Sequence, residues 1–252
     1  MVLSHRQKIT IILLLIYWPG VFILAHIQIP GLVYKAGVSD KGLHFLAYLI
    51  LVFLLWFAIS PDKKVNWRKA AAWVVLIVVV WYGVVDEVLQ GYVGRNCDIR
   101  DFFADLAGTL AGLVLFTFFT FWSALLMVTG AAIFILTNLI RANLADLVPI
   151  TNAMFHLLGY GFFTMLWIQN IHLFLPVKAP KVKWIITALA LPAGFLFTVK
   201  LFSAVFDKDV VVQDVVISTA VIIAVVAAID VVALCRKAFL VGFREGTTRK
   251  GS

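Results

Sequence analysis

The chain has 252 residues, of which 63% are hydrophobic and 13% are charged, and its formal net charge is +8. Typical soluble domains are roughly 45–50% apolar, and their apolar residues are not gathered into uninterrupted runs of about twenty. A mean hydropathy of +1.04 therefore excludes a soluble globular protein. The composition predicts an all-α fold, a polytopic bundle of membrane-spanning helices.

We predict eight spans, in chain order about 9–29, 42–60, 69–91, 101–119, 123–141, 153–175, 183–204 and 213–235. The first run lacks a small-residue cleavage site and is expected to remain as a span rather than leave as a signal peptide. The stretch from Leu106 to Ile140 carries no charge and is too long for one span. We predict two helices there, with a turn near 120–123. A single bent helix would leave seven spans and place the termini on opposite sides.

Charge distribution favours the eight-span topology. With eight spans, two thirds of the 21 Lys and Arg residues share one side of the membrane. The positive-inside rule then predicts that both termini are cytoplasmic. We interpret the net positive charge as a topology signal and an attraction to anionic lipid, and we expect no nucleic-acid partner.

Two halves of the chain share a pattern. Asn152, His156 and Tyr160 repeat the spacing of Asp40, His44 and Tyr48. Farther along, three residues of the second half fall on counterparts in the first: Lys200 on Glu87, Lys208 on Arg95, and Asp214 on Asp101. We predict two parallel four-helix repeats, 1–118 and 119–236, followed by a basic cytoplasmic tail at 237–252. The second repeat is degenerate, since it has lost Gln90 and the glycines.

Polar residues recur at helical spacing in the first half. Asp40, His44 and Tyr48 stand four residues apart and share one helix face. The next two spans continue the pattern with Gly83, Glu87 and Gln90, then Asp101, Asp105, Gly108 and Gly112. Ionisable groups aligned on helix faces are rare in a membrane protein and indicate a functional site.

Three segments, DKGLHFLAY, DEVLQGYVGR and DIRDFFADLAGTLAG, follow one another in the order seen in the VanZ-like family of bacterial membrane proteins. The sequence resembles that family over about residues 35–115. Asp105 is a departure, since the family usually has Asn there. The resemblance implies a multi-pass protein of the bacterial cytoplasmic membrane, linked to resistance against the glycopeptide teicoplanin.

Three helix ends are expected to converge on an outward-facing polar pocket that takes a ligand. The predicted binding residues are Asp40, Lys41, His44, Tyr48, Glu87, Gln90, Arg95, Asp98, Asp101, Asp105, His156 and Lys200. Any catalytic role is expected to fall on His44, Glu87 or Asp105, as an acid–base pair or a His/carboxylate metal site. Neither reading is compelling from sequence, so no metal or cofactor is predicted. The alternative is a buried ion-pair network that joins helix ends, and Gly108 and Gly112 are interpreted as close helix packing.

Three functions remain open at this stage. The first is a binding protein for membrane lipids, with lipid-linked cell-wall precursors among the candidate partners. The second is an intramembrane enzyme that uses Glu87 and His44 as acid and base. The third is a lipid transporter or flippase, which the repeat favours but the lack of charge at mid-depth disfavours.

Overall fold

A computed structural model describes residues 3–26, 40–93, 98–138, 149–174, 179–208 and 210–249. The described residues form helices and no strands. The eight helices are α1 (His5–His26), α2 (Asp40–Ile59), α3 (Ala70–Tyr92), α4 (Ile99–Phe118), α5 (Phe121–Asn138), α6 (Pro149–Phe174), α7 (Val182–Val205) and α8 (Val212–Arg249).

The helices confirm the predicted all-α class and the division of the long uncharged run. α4 ends at Phe118, the backbone of Phe119 is extended, and α5 begins at Phe121. A turn rather than a continuous bent helix therefore joins the two. All eight predicted spans coincide with helices to within a few residues, apart from the longer C-terminal end of α8.

Seven of the eight helices, all but α6, are long and apolar enough to cross a bilayer. α6 has 26 residues, but its hydropathy is lowered by polar side chains such as Asn152, His156 and Asn170. The chain is a multi-pass membrane protein. The cytoplasmic placement of its termini stays a prediction.

The chain divides into two compact units, Met1–Asn143 and Leu144–Ser252. The first unit contains α1–α5 and the second contains α6–α8. The predicted repeats divide earlier, at residue 118, because α5 was assigned to the second half. In the structure α5 packs on α2 of the first unit. The predicted basic tail is helical as far as Arg249, since α8 continues to that residue.

α2 is the central helix of the first unit. Nearly every residue from Leu46 to Ala58 is buried, because α1, α4 and α5 all pack against it. Phe53 and Phe57 of α2 contact Phe116 of α4 and Phe121 of α5 as an aromatic cluster. α2 ends before Pro61, a residue that cannot continue the helix.

α4 approaches α2 more closely than a side chain would permit. A Cβ on Gly108 would overlap the backbone carbonyl of Phe45, and one on Gly112 would meet the Val52 side chain at 2.5 Å. The missing side chains let the two backbones pack together, the role expected for small residues spaced four apart in a membrane helix. This confirms the packing interpretation of both glycines.

α3 shows how the first unit places polar groups in an apolar environment. One side of the helix exposes large apolar residues, among them Trp73, Ile77 and Trp81. The opposite side is buried, and toward the C-terminal end it carries Asp86, Glu87 and Gln90. Charged groups in a membrane helix face the bundle interior because contact with lipid tails is costly.

Candidate functional site

The centre of the candidate site is a contact between α2 and α4. The Nδ1 atom of His44 lies 2.9 Å from Oδ1 of Asp105, and both residues are buried. The close packing at Gly108 brings these two helices near enough for the contact. Sequence spacing had placed the two residues on separate polar stripes, and the structure joins them.

Glu87 of α3 completes the cluster. It is 5% exposed, and its Oε2 atom accepts a hydrogen bond of 3.3 Å from the backbone N–H of Asp98, the N-cap residue of α4. His44, Glu87 and Asp105 each offer one ligand atom, and these atoms lie within 4.8 Å of one another. We call these three residues the His–carboxylate cluster.

The cluster lies near one end of the first unit rather than at mid-depth. His44 comes four residues after the first residue of α2, and Asp105 comes six residues after the first residue of α4. Glu87 comes five residues before the last residue of α3. With a rise of 1.5 Å per residue, they sit roughly 6–9 Å inside the helix ends. A site at this depth can admit a polar group from the membrane surface.

Two carboxylate oxygens of the cluster have no hydrogen-bond partner among the described residues. Oε1 of Glu87 and Oδ2 of Asp105 are buried and accept no hydrogen bond within the described part of the chain. A buried acceptor without a partner costs about 1–3 kcal/mol. These oxygens are the strongest indication that the site takes a ligand.

Tyr48 and Gly83 form a wall beside Asp105. Tyr48 is 2% exposed, and its hydroxyl has no hydrogen-bond partner among the residues described. A Cβ on Gly83 would stand 3.4 Å from that hydroxyl and 3.6 Å from Oδ2 of Asp105. Gly83 therefore leaves free the space that a methyl group would occupy next to both polar atoms.

Asp86 and Gln90 form a separate pair on α3. The Nε2 atom of Gln90 donates a hydrogen bond of 2.8 Å to Oδ2 of Asp86. Oδ1 of Asp86 lies 3.9 Å from Nδ1 of His26 on α1. Gln90, predicted to bind ligand, is thus engaged with Asp86.

The other predicted residues of the first unit lie around the cluster. Asp40 is the first residue of α2, and Lys41 next to it is exposed. Asp98 caps α4 by accepting a hydrogen bond from the backbone N–H of Arg100, and Asp101 is buried in the first turn. Arg95 lies outside the described residues.

The two predicted residues of the second unit form a cluster of their own around Asp214. Nε2 of His156 and Nζ of Lys200 each lie 3.2 Å from Oδ2 of Asp214. Asn152 donates to the other oxygen at 2.7 Å, and Nδ1 of His156 lies 3.2 Å from the Ser218 hydroxyl. Both oxygens of this carboxylate are satisfied.

Sequence reasoning missed Ser218 and the role of Gly83. Ser218 follows Asp214 by one helical turn, as Asp105 follows Asp101, so the predicted repeat could have indicated it. Gly83 had been assigned to the same face as Glu87, but no pattern showed that it borders Asp105.

The family model described as VanZ/LLP1 matches residues 5–122. The match covers α1 to α4 and ends at the start of α5, so it contains the whole His–carboxylate cluster and extends beyond the resembling segments. No curated protein and no solved structure matches the chain.

Proposed function

We propose that residues 5–122, which match the VanZ/LLP1 family model, bind the polar head group of a membrane lipid or a lipid-linked cell-wall precursor. The binding site is the His–carboxylate cluster with Tyr48 and Gly83 beside it. The observation that carries the proposal is the pair of buried carboxylate oxygens, on Glu87 and Asp105, that no described residue satisfies.

The energetic cost of the cluster supports a ligand site. Interhelical hydrogen bonds in membrane bundles contribute only about 0.6 kcal/mol on average. Each acidic side chain near mid-bilayer costs about 2.5–3.5 kcal/mol on insertion scales, and less near the interface. A cluster that leaves two buried oxygens without described partners contributes little to the stability of helix packing. A ligand that pairs with those oxygens would offset their burial.

The charge pattern supports an extracytoplasmic location. The positive-inside rule places the Asp40 end of α2 outside the cytoplasm, so the cluster would face the outer leaflet of the bacterial cytoplasmic membrane. Lipid-linked cell-wall precursors are candidate ligands on that side, and the VanZ-like resemblance links the chain to a cell-wall-directed glycopeptide. We propose on this basis that the protein lowers sensitivity to teicoplanin-type glycopeptides.

Thermal unfolding of the detergent-purified chain tests the proposal. The melting temperature is measured with and without phosphatidylethanolamine, phosphatidylglycerol or an undecaprenyl-linked precursor. One of these lipids should raise the melting temperature of the wild type. Glu87→Gln should lose most of that rise while melting near the wild type without lipid. His44→Ala should also lose the rise, but it should melt lower without lipid because the buried Asp105 loses its partner.

Asp86→Asn is the matched control, because it changes the neighbouring buried carboxylate outside the cluster and leaves an oxygen to accept from Gln90. It should keep the lipid-dependent rise. If Glu87→Gln melts lower than the wild type whether or not lipid is present, the cluster only holds the helices together, and the proposal would fail.

An intramembrane enzyme is the second candidate. It is favoured by the contact of 2.9 Å between His44 and Asp105, because a carboxylate that orients an imidazole is a common feature of general acid–base catalysis. On this reading Glu87→Gln should abolish turnover of the bound lipid while leaving its binding intact. Loss of binding together with turnover would favour the binding protein.

A lipid transporter is the third candidate. Its substrate site is expected near the bilayer midplane, whereas the cluster lies roughly 6–9 Å inside the helix ends at 1.5 Å per residue. A lipid-scrambling assay in proteoliposomes with fluorescent phosphatidylethanolamine distinguishes it from the first two. Lipid movement that Glu87→Gln abolishes would favour transport.

A further inference from the structure

The positions of the ligand atoms point to a cation. His44, Glu87 and Asp105 present one nitrogen and two carboxylate oxygens within 4.8 Å of one another, and the His44–Asp105 pair is separated by 2.9 Å. Around an ion with bonds of about 2.1 Å, neighbouring ligand atoms stand roughly 3.0–3.4 Å apart. The distance between the His44 nitrogen and the Asp105 oxygen is already close to that range. A change of rotamer in the flexible Glu87 side chain would bring its oxygen to a similar distance.

The unpaired oxygens are the second and independent observation. Glu87 and Asp105 are 5% and 1% exposed, respectively, and each keeps one oxygen without a hydrogen-bond partner among the described residues. A cation gives both oxygens a partner at once. Gly83 adds room, since no side chain covers Oδ2 of Asp105 from its direction.

The charge of the surroundings also favours a cation if the ligand is anionic. Among the described residues, four carboxylates of the first unit are buried near this end, on Asp86, Glu87, Asp101 and Asp105. Buried carboxylates repel an anionic head group more strongly than carboxylates in water do, because the local dielectric constant is lower. A cation between the carboxylates and the head group would offset that repulsion.

We propose that His44, Glu87 and Asp105 bind a divalent transition-metal ion such as Zn²⁺ or Mn²⁺. Imidazole selects transition metals over Mg²⁺ and Ca²⁺, and carboxylates suit Mn²⁺ as well as Zn²⁺. Three protein ligands leave at least one coordination position open. The metal site stands on its own contacts, whereas its use in holding a phosphate oxygen of a lipid rests on the proposed function.

Metal binding by the full-length chain tests this directly. The protein is purified in detergent without a polyhistidine tag, stripped with EDTA and dialysed against Zn²⁺ or Mn²⁺, and bound metal is counted by mass spectrometry. The wild type should retain about one ion per chain. Glu87→Gln and Asp105→Asn should weaken binding at least about tenfold, as loss of groups around a metal commonly does.

Two further measurements protect the test from misfolded variants and stray metal. Co²⁺ added to the wild type should give visible absorption bands of nitrogen and oxygen coordination. Asp86→Asn should keep the wild-type stoichiometry. A monodisperse wild type that binds neither ion would overturn the proposal, and so would equal binding by wild type, Glu87→Gln and Asp105→Asn.

The metal site and the proposed function fail in different ways. Specific metal binding without any lipid-dependent rise in melting temperature would keep the metal site and reject the head-group function. A lipid-dependent rise that is the same in EDTA-treated and metal-loaded protein would keep the head-group function and reject the role of the metal in it.

Discussion

The two units place a histidine and a carboxylate together in different chemical settings. In the first unit His44 meets Asp105, with the second carboxylate of Glu87 close by. In the second unit His156 meets Asp214, with the ammonium of Lys200 close by. The first cluster carries an excess of acceptors, and the second balances its carboxylate with a cation.

If the two halves are aligned as the predicted repeat requires, the contacts occur at corresponding positions of the sequence. His156 also contacts Ser218, which stands in the second half where Asp105 stands in the first. Lys200 occupies the position of Glu87. The second unit also has a glycine between packed helices, but with more room. A Cβ on Gly161 of α6 would meet only the Val221 side chain of α8, at 3.2 Å, whereas one on Gly108 of α4 would overlap the α2 backbone.

This difference distinguishes a cluster that only joins helices, in the second unit, from the proposed binding site in the first. Both oxygens of Asp214 have donors within the second unit, so that cluster needs no ligand to be stable. In the described part of the first unit, Glu87 and Asp105 each keep an unpaired oxygen. Matched substitutions in the two units should therefore have opposite consequences.

The largest effect is expected for Asp214→Asn in the second unit. The substitution leaves the Lys200 ammonium, 10% exposed, without its anionic partner. Breaking a buried ion pair costs about 3–5 kcal/mol, and we expect about 3 kcal/mol because the long Lys200 side chain can reach toward the interface. Asp207 is an exposed carboxylate between α7 and α8, so Asp207→Asn should change the melting temperature little. If both variants lowered the melting temperature equally, the buried contacts of Asp214 would not be what stabilises the second unit.

A smaller loss is expected for Gly108→Ala. The new Cβ would overlap the Phe45 carbonyl, so α2 and α4 must move apart, and overpacking of this kind costs about 1–3 kcal/mol. The movement should also weaken the His44–Asp105 contact. Gly194→Ala is the matched control, because a Cβ there meets nothing within 4 Å. If both variants melt alike, the close crossing does not stabilise the first unit.

The sequence predicted the helices well because apolar runs and charge positions determine where a chain can cross a bilayer. It also predicted that His44, Glu87 and Asp105 belong to one region, since they lie at the ends of consecutive helices. Helical spacing gives the face of one helix but not the rotation of its neighbours. For that reason the pairing of Gln90 with Asp86 and the packing of α5 on α2 had to come from the structure.

A still smaller change in stability is expected for Glu87→Gln without ligand. The amide removes the negative charge but keeps an oxygen that accepts from the backbone N–H of Asp98. The free energy of unfolding should therefore change by less than about 1 kcal/mol. The contrast with Asp214→Asn is the sharpest test of the comparison. It is measured by thermal unfolding of both variants in metal-free detergent. If Glu87→Gln lost as much stability as Asp214→Asn, the first cluster would also serve mainly to hold helices together.

The smallest effect on folding should come from Gly83→Ala, although its effect on binding should be large. The new methyl group would stand 3.4 Å from the Tyr48 hydroxyl and 3.6 Å from Oδ2 of Asp105, ordinary contact distances that require no movement of the helices. Alanine is favoured over glycine in helices by about 0.8–1.0 kcal/mol, so the variant should melt at or slightly above the wild type.

The methyl group nevertheless fills the space through which a ligand would reach Oδ2 of Asp105. Binding of Zn²⁺ or of the stabilising lipid should therefore weaken while the fold is kept, an outcome that a purely structural cluster would not produce. Gly20→Ala on α1 is the control, because it adds the same methyl group in open space and should leave binding unchanged. Undiminished binding by Gly83→Ala would place the ligand on another side of Asp105.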